Sequence, residues 1–267
     1  MVSGEMPDRP PANSWRKRLR LSVRGLVILV VLIGCWLGWE VHQAQVQREA
    51  VAAIRRANGN VEYNLDPSRN PCWLRWLADR IGLDYVSHVV GVDLVGVGPD
   101  GPSTGAELDH VVRLTRIERL ELWGSSVNDS RLADLEGLSR LRSLGLHKTR
   151  VGDKGLANLK GLPALRVLWL NRSAVTDAGL AHLEDRTDLE ALSLRETAIT
   201  DAGLVHLNGL INLKRLLLGG TQITDAGLVH LRGLKRLQEL EVGNTRVTDT
   251  AVRELQRALP NLKISRL

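Results

Sequence analysis

The 267-residue chain has no Phe and only two Tyr, so leucine rather than aromatic packing has to build its core. Its formal net charge of +6 is uneven: Arg9, Arg16, Lys17, Arg18, Arg20 and Arg24 stand against Glu5 and Asp8 and account for four of the six charges. The remainder interleaves both signs and lacks the basic stripe with stacking aromatics of a nucleic-acid groove, so no nucleic-acid partner is expected. Cys35 and Cys72 are too few for a disulfide framework. No Cys/His cluster has zinc-ligand spacing, and neither metal nor cofactor is expected.

Gly25 to Trp39 reads GLVILVVLIGCWLGW, fifteen residues without a charge, and Leu21, Val23 and Val41 extend the apolar character on either side. With Arg24 snorkelling, about 17–20 residues can cross a bilayer core as a helix. Trp36 and Trp39 sit at the far end, where amphipathic rings favour the interface. The cluster Arg16, Lys17, Arg18, Arg20 and Arg24 outweighs Arg48, Arg55 and Arg56. The positive-inside rule therefore makes residues 1–24 a basic cytoplasmic tail, residues 25–41 a single transmembrane helix of the cell (inner) membrane, and everything later extracytoplasmic. Two other readings share these residues. A cleaved signal peptide lacks a small-x-small site after Trp39. Leu32-Ile33-Gly34-Cys35 resembles a lipobox that would lipidate Cys35, although Trp36-Leu37-Gly38-Trp39 stays apolar where a lipoprotein turns polar.

Residues 42–88 read as a helical linker and N-terminal cap. His42 to Asn58 has high helix propensity, with Val46, Ala50, Val51, Ala53, Ile54 and Ala57 at helical spacing, and Asn58-Gly59 is a stop signal. A short strand is expected around Val61 to Tyr63, then a loop through Pro67 and Pro71. Trp73, Leu74, Trp76, Leu77 and Ile81 outline a second amphipathic helix ended by Gly82, with Trp73 and Trp76 expected to pack into the core rather than grip a ligand or membrane. The segment suits covering the open end of a stacked array.

From Ile117 the chain repeats every 24 residues, with the first leucine-type position at Ile117, Leu141, Leu165, Leu189, Leu213 and Leu237. A fixed period without insertion specifies a solenoid of stacked coils. Each coil opens with inward leucines at period two, such as Leu144 and Leu146 or Leu168 and Leu170, which makes a short strand, and stacking makes the sheet parallel. A hydroxyl column follows, Ser125, Thr149, Ser173, Thr197, Thr221 and Thr245, expected to bond the backbone of the turn and of the next coil. A β-branched plug comes next: Val127, Val151, Val175, Ile199, Ile223 and Val247.

Asp129, Asp153, Asp177, Asp201, Asp225 and Asp249 then open the return segment, in three coils as Thr-Asp-Ala-Gly-Leu. Asp or Thr before a short apolar-periodic run reads as a helix N-cap rather than as a calcium ladder. His182, His206 and His230 form a column that reads as a solvated polar face rather than a metal site, since the same column holds Asp134, Asn158 and Glu254. Arg186 replaces a helix-side leucine and is expected to reach water. The first and last coils lose the central Gly, as Arg131 and Ala251, and Ala258 to Ile264 adds one residue and reads as a closing strand.

The motif Leu-x-x-Leu-x-Leu-x-x-Thr-x-Ile-Thr-Asp-Ala-Gly-Leu-x-x-Leu resembles that of leucine-rich repeat proteins, over residues 89–267. The whole arrangement, with its basic start, one span, Arg48-Glu49-Ala50-Val51-Ala52-Ala53-Ile54 and Trp73-Leu74-Arg75-Trp76-Leu77, is similar to membrane-anchored repeat proteins of planctomycete-type bacteria. The resemblance implies an α/β horseshoe, with a parallel sheet on the concave face and short helices on the convex face, preceded by one transmembrane helix and a small α+β cap. It carries no catalytic residues. Nothing after residue 42 outlines a nucleophile elbow, phosphate loop or metal-ligand helix, so no enzyme is expected.

What the resemblance implies for function is a non-enzymatic scaffold binding a protein ligand, or an envelope polymer such as a polysaccharide, on the outward strand positions. Among these Trp123, His147, Trp169 and Arg195 are most like interface anchors. The repeat also resembles the F-box type of ubiquitin-ligase substrate receptor, against which stand the span and the absence of an F-box helix set.

Overall fold

A computed structural model describes residues 23–64, 72–94 and 106–266; the basic tail before Val23 lies outside the described residues. Two compact units divide the chain between Gln43 and Ala44. In the first, helix α1 (Val23–Arg56) begins, and every large apolar side chain from Leu26 to Val41 is exposed. Among the described residues this is the one helix long and apolar enough to cross a membrane, and a signal sequence passes the same test.

The second unit is the solenoid and its cap. Helix α1 stops where Asn58 adopts a left-handed conformation, φ 56°, and the Gly59 N–H closes on the Ile54 carbonyl at 2.9 Å. Strand β1 (Asn60–Tyr63) follows, then helices α2 (Cys72–Ile81) and α3 (Leu83–Val86), strand β2 (Val89–Asp93) and helix α4 (Ala106–Val111). Strand β1 runs antiparallel to β2, and from β2 onward every pairing is parallel. Buried Ala50, Val51 and Ile54 join Val89, Val92, Leu108 and Val111 in the same core as the repeat leucines. Gln47 ties this cap together, its amide donating to the Ser87 carbonyl at 2.9 Å while its Oε1 accepts from the Val89 N–H at 3.2 Å. The tryptophans expected inside are instead outside: Trp73 is 62% and Trp76 60% exposed, because α2 turns Ala78 inward and carries the indoles on the other side.

Strands β3 (Arg119–Glu121), β4 (Ser143–Gly145), β5 (Val167–Trp169), β6 (Ala191–Ser193), β7 (Arg215–Leu217) and β8 (Glu239–Glu241) pair in strict register, each residue opposite the one 24 positions later. The closing strand is β9 (Lys263–Ser265). Return helices α5 (Asp129–Leu132), α6 (Asp153–Ala157), α7 (Asp177–Leu180), α8 (Asp201–Leu204) and α9 (Asp225–Leu228) each pass into a 3-10 turn, and α10 (Asp249–Ala258) ends the array. The hydroxyl column bonds within its own coil, as from Thr197 Oγ1 to the Leu194 carbonyl at 2.6 Å, and the Thr149 and Thr221 hydroxyls likewise reach the carbonyl three residues back.

The aspartates behave differently from helix caps. In the Thr-Asp-Ala-Gly-Leu coils it is Thr200 and Thr224 whose hydroxyls cap α8 and α9, while each Asp serves the following coil. Asp153 accepts the Thr176 N–H and hydroxyl, both at 2.7 Å, and Asp177 and Asp201 receive Thr200 and Thr224 in the same way. The Thr200 and Thr224 hydroxyls donate to the previous coil and accept from their own helix at once, whereas the Thr176 hydroxyl bonds Asp153 and does not cap α7. The central Gly follows from this: a Cβ at Gly179, Gly203 or Gly227 would overlap the preceding carboxylate, Asp153, Asp177 or Asp201. In the first coil Arg131 stands at the glycine position and pairs with Asp109 at 2.7 Å and Asp134 at 2.8 Å. The Asp249 carboxylate is met by Arg266, which also donates to the Val247 carbonyl at 2.7 Å.

Arg186 also departs from expectation. It is half-buried and donates to the Leu162 carbonyl at 2.6 Å and the Leu159 carbonyl at 3.2 Å, at the end of the previous 3-10 turn. Burial pushes its pKa below the usual arginine value, with Asp188 opposing.

Asp201→Ala removes two bonds to Thr224, and urea denaturation should show a loss of about 1–3 kcal/mol. Gly203→Ala carries a sharper expectation. By helix propensity alone alanine is favoured by about 1 kcal/mol, yet here it should destabilise, and in an Asp177→Ala background the sign should reverse. An equal loss in both backgrounds would disprove the carboxylate as the reason for glycine.

Candidate functional site

The outward face of the sheet is set by strand pleating. In register across it lie Glu121, Gly145, Trp169, Ser193, Leu217 and Glu241, and just past the strand ends stand Trp123, His147, Asn171, Arg195 and Gly219. All four residues singled out from the sequence, Trp123, His147, Trp169 and Arg195, occupy this face. They divide between two adjoining depressions. One, of about 390 Å³, is lined by Trp123, His147, Lys148, Asn171, Arg172, Arg195 and Glu196. The other, of about 500 Å³, holds Trp169, Arg195, Arg215, Leu217, Glu239 and Glu241. Arg195 is common to both.

The aromatic groups are held by neighbours. His147 and Trp169 stack with ring centroids 6.3 Å apart and planes at 20°. Trp123, 47% exposed, carries the Lys148 ammonium 5.6 Å from its ring centroid. Asn171 Oδ1 accepts from the Ser193 hydroxyl and, at 3.2 Å, from the Arg195 N–H. Arg195 then reaches past strand β7 to Glu241, donating from Nε at 2.6 Å. Glycine makes that span possible, since a Cβ at Gly219 would stand 2.7 Å from Glu241 Oε1. The same device recurs where Arg119 pairs with Glu62 across Gly91, and where Glu121 lies over Gly145.

Burial sets the titration of this face. It lowers the His147 pKa below 6.5, and the Arg195 charge lowers it further. The Glu121 carboxyl is raised by burial and by Asp93, with Arg119 opposing. Elsewhere the charges pair across adjacent coils, as in Arg172 with Glu196 and in Arg166 and Lys214 on Glu190. On the helical side His206 pairs with Glu184 of the coil before it.

Lys148, Asn171, Arg172, Glu196 and Glu241 complete the site and were not singled out from sequence. Three of them belong to a turn column, Lys148, Arg172 and Glu196 at φ 52–55°, whose other members are Gly124, Gly220 and Asn244. Two Gly and an Asn at one position of the period were the available signal for a left-handed turn.

No protein-family profile and no curated protein matches the chain. Among solved structures it is similar to the crystal structure of internalin C2 from Listeria monocytogenes str. 4b F2365, with TM-score 0.53 and 23% identity over 70% of this chain and 83% of that one. The fold is that of a leucine-rich repeat solenoid. The 24-residue unit, its parallel register and this likeness agree on that assignment.

His147 yields a pH prediction with a definite sign. Because the folded pKa lies below the unfolded value, the unfolded chain binds the proton first as pH falls. Stability from this group is complete above about pH 6.5 and declines as pH drops towards the folded pKa. An NMR titration should find the His147 imidazole below 6.5, rising towards it in Trp169→Ala, where one wall of the stack is removed.

Proposed function

We propose that the protein is a non-enzymatic, membrane-anchored interaction scaffold whose sheet face binds a protein segment outside the cytoplasm. The observation that carries this reading is the continuous outward surface from Trp123 to Glu241, where aromatic rings are stacked in place and Arg195 is held by Glu241. Ordered tryptophan and arginine side chains lose little entropy on binding, which is why such groups act as interface anchors. The paired charges at the margin, Arg172 with Glu196 and Arg215 with Glu239, supply a polar rim of both signs. The leucine-rich repeat fold supports a protein ligand. The exposed apolar run of α1 and the cationic excess before it support anchoring with residues 1–24 in the cytoplasm, 25–41 in the bilayer, 42–88 as cap and 89–267 as the presented domain.

Two measurements test this. Alkaline extraction should leave the full chain in the membrane pellet, with the repeat region digested only by protease on the extracytoplasmic side; a soluble chain refutes the anchor. For the face, affinity capture from envelope extracts by the full chain should lose its specific protein partner when Trp123→Ala, Trp169→Ala and Arg195→Ala are combined. Ile211→Ala, an exposed residue outside both depressions, should leave capture unchanged. Equal retention by the triple variant refutes the assigned surface.

A further inference from the structure

The geometry points to α2 as a second membrane contact, lying in the phospholipid headgroup layer with Trp73 and Trp76 inserted. It rests on the reading of α1 as a membrane anchor. Trp73, Trp76 and Arg80 follow one another at i, i+3 and i+7 and so share one helical face. Both indoles are exposed, the Arg80 guanidinium stands 5.6 Å from the Trp76 ring centroid, and Ile81 and Tyr85 continue the exposed apolar surface into α3. An indole body beside a guanidinium matches the bilayer interface, where rings meet the upper acyl chains and the cation meets lipid phosphate.

What selects lipid over a protein partner is the tether. Helix α3 is fixed to α1 at Gln47, whose amide donates to the Ser87 carbonyl at 2.9 Å and to Asp84 Oδ1 at 3.3 Å; Tyr63 donates to the same Asp84 oxygen at 2.8 Å. Only five residues lie between Val41, the end of the apolar run, and Gln47, a chain path of at most about 20 Å. That short covalent connection tethers the unit that carries α2 to whatever bilayer holds the apolar run. The interaction is intramolecular in character, with a high effective concentration and no need of strong intrinsic affinity.

The test uses the full chain, labelled with fluorotryptophan and placed in phosphatidylcholine–phosphatidylglycerol nanodiscs. A fraction of the lipid carries a nitroxide just below the headgroup. Fluorine resonances are assigned by single Trp→Phe substitutions. The expected result is loss of intensity at Trp73 and Trp76 as well as at Trp36 and Trp39, with Trp123 and Trp169 retained; the last two also report that the repeats remain folded. Attenuation at Trp36 and Trp39 with Trp73 and Trp76 behaving like Trp123 overturns the α2 contact and leaves the anchor standing. Attenuation at none of these four overturns the anchor and the α2 contact with it. Loss at Trp73 and Trp76 should also disappear when Arg80→Glu is introduced, and its persistence there would overturn the role given to the guanidinium.

Discussion

A carboxylate that belongs to one coil but serves the next is the interaction on which the repeat domain depends. Asp153, Asp177, Asp201 and Asp225 each accept both a backbone N–H and a hydroxyl from the Thr that opens the following helix. This line runs on the helical side, while the parallel ladder joins the same coils through their strands. Two lines of bonds on opposite sides of a leucine core fix both the spacing and the rotation of successive coils. The glycine requirement and the invariant length are consequences of placing a carboxylate there.

Much of this architecture is legible in the sequence because burial has a period. Leucines at alternating positions specify strands, the β-branched plug and helix-side leucines specify the core, and all of these are buried as expected. The role of Asp is harder to read, since its partner lies 23 rather than 24 residues ahead and so falls in a different column of the alignment. Asp and Thr each look like caps when taken separately. Trp73 and Trp76 are misread for another reason: an amphipathic pattern says that a helix has two faces, and it does not say which one finds a neighbour. Arg186 shows the complementary case, where backbone carbonyls of the previous coil replace water as acceptors.

The candidate site was legible in its aromatic and cationic members and illegible in its connections. Trp123, His147, Trp169 and Arg195 stand out because they break the repeat on the outward face. Their order depends on residues of ordinary appearance: Asn171 against the Arg195 backbone, Gly219 beneath the guanidinium's path, Glu241 at its end. Side-chain reach across two strands cannot be inferred from alternation, which describes in and out but not along.

The bond from each carboxylate to the threonine of the next coil has a meaning for how such a chain can change over time. The three coils that carry Thr176-Asp177, Thr200-Asp201 and Thr224-Asp225 each hold both a donor pair for the coil before and an acceptor for the coil after, so these 24-residue units are interchangeable in this bond. Gene duplication or loss of one of these units keeps the carboxylate-to-threonine bonds at the new junction. An insertion of any other length shifts donor and acceptor out of phase on one side while the strands remain paired on the other. A sheet face built on this register lengthens or shortens only in whole-coil steps.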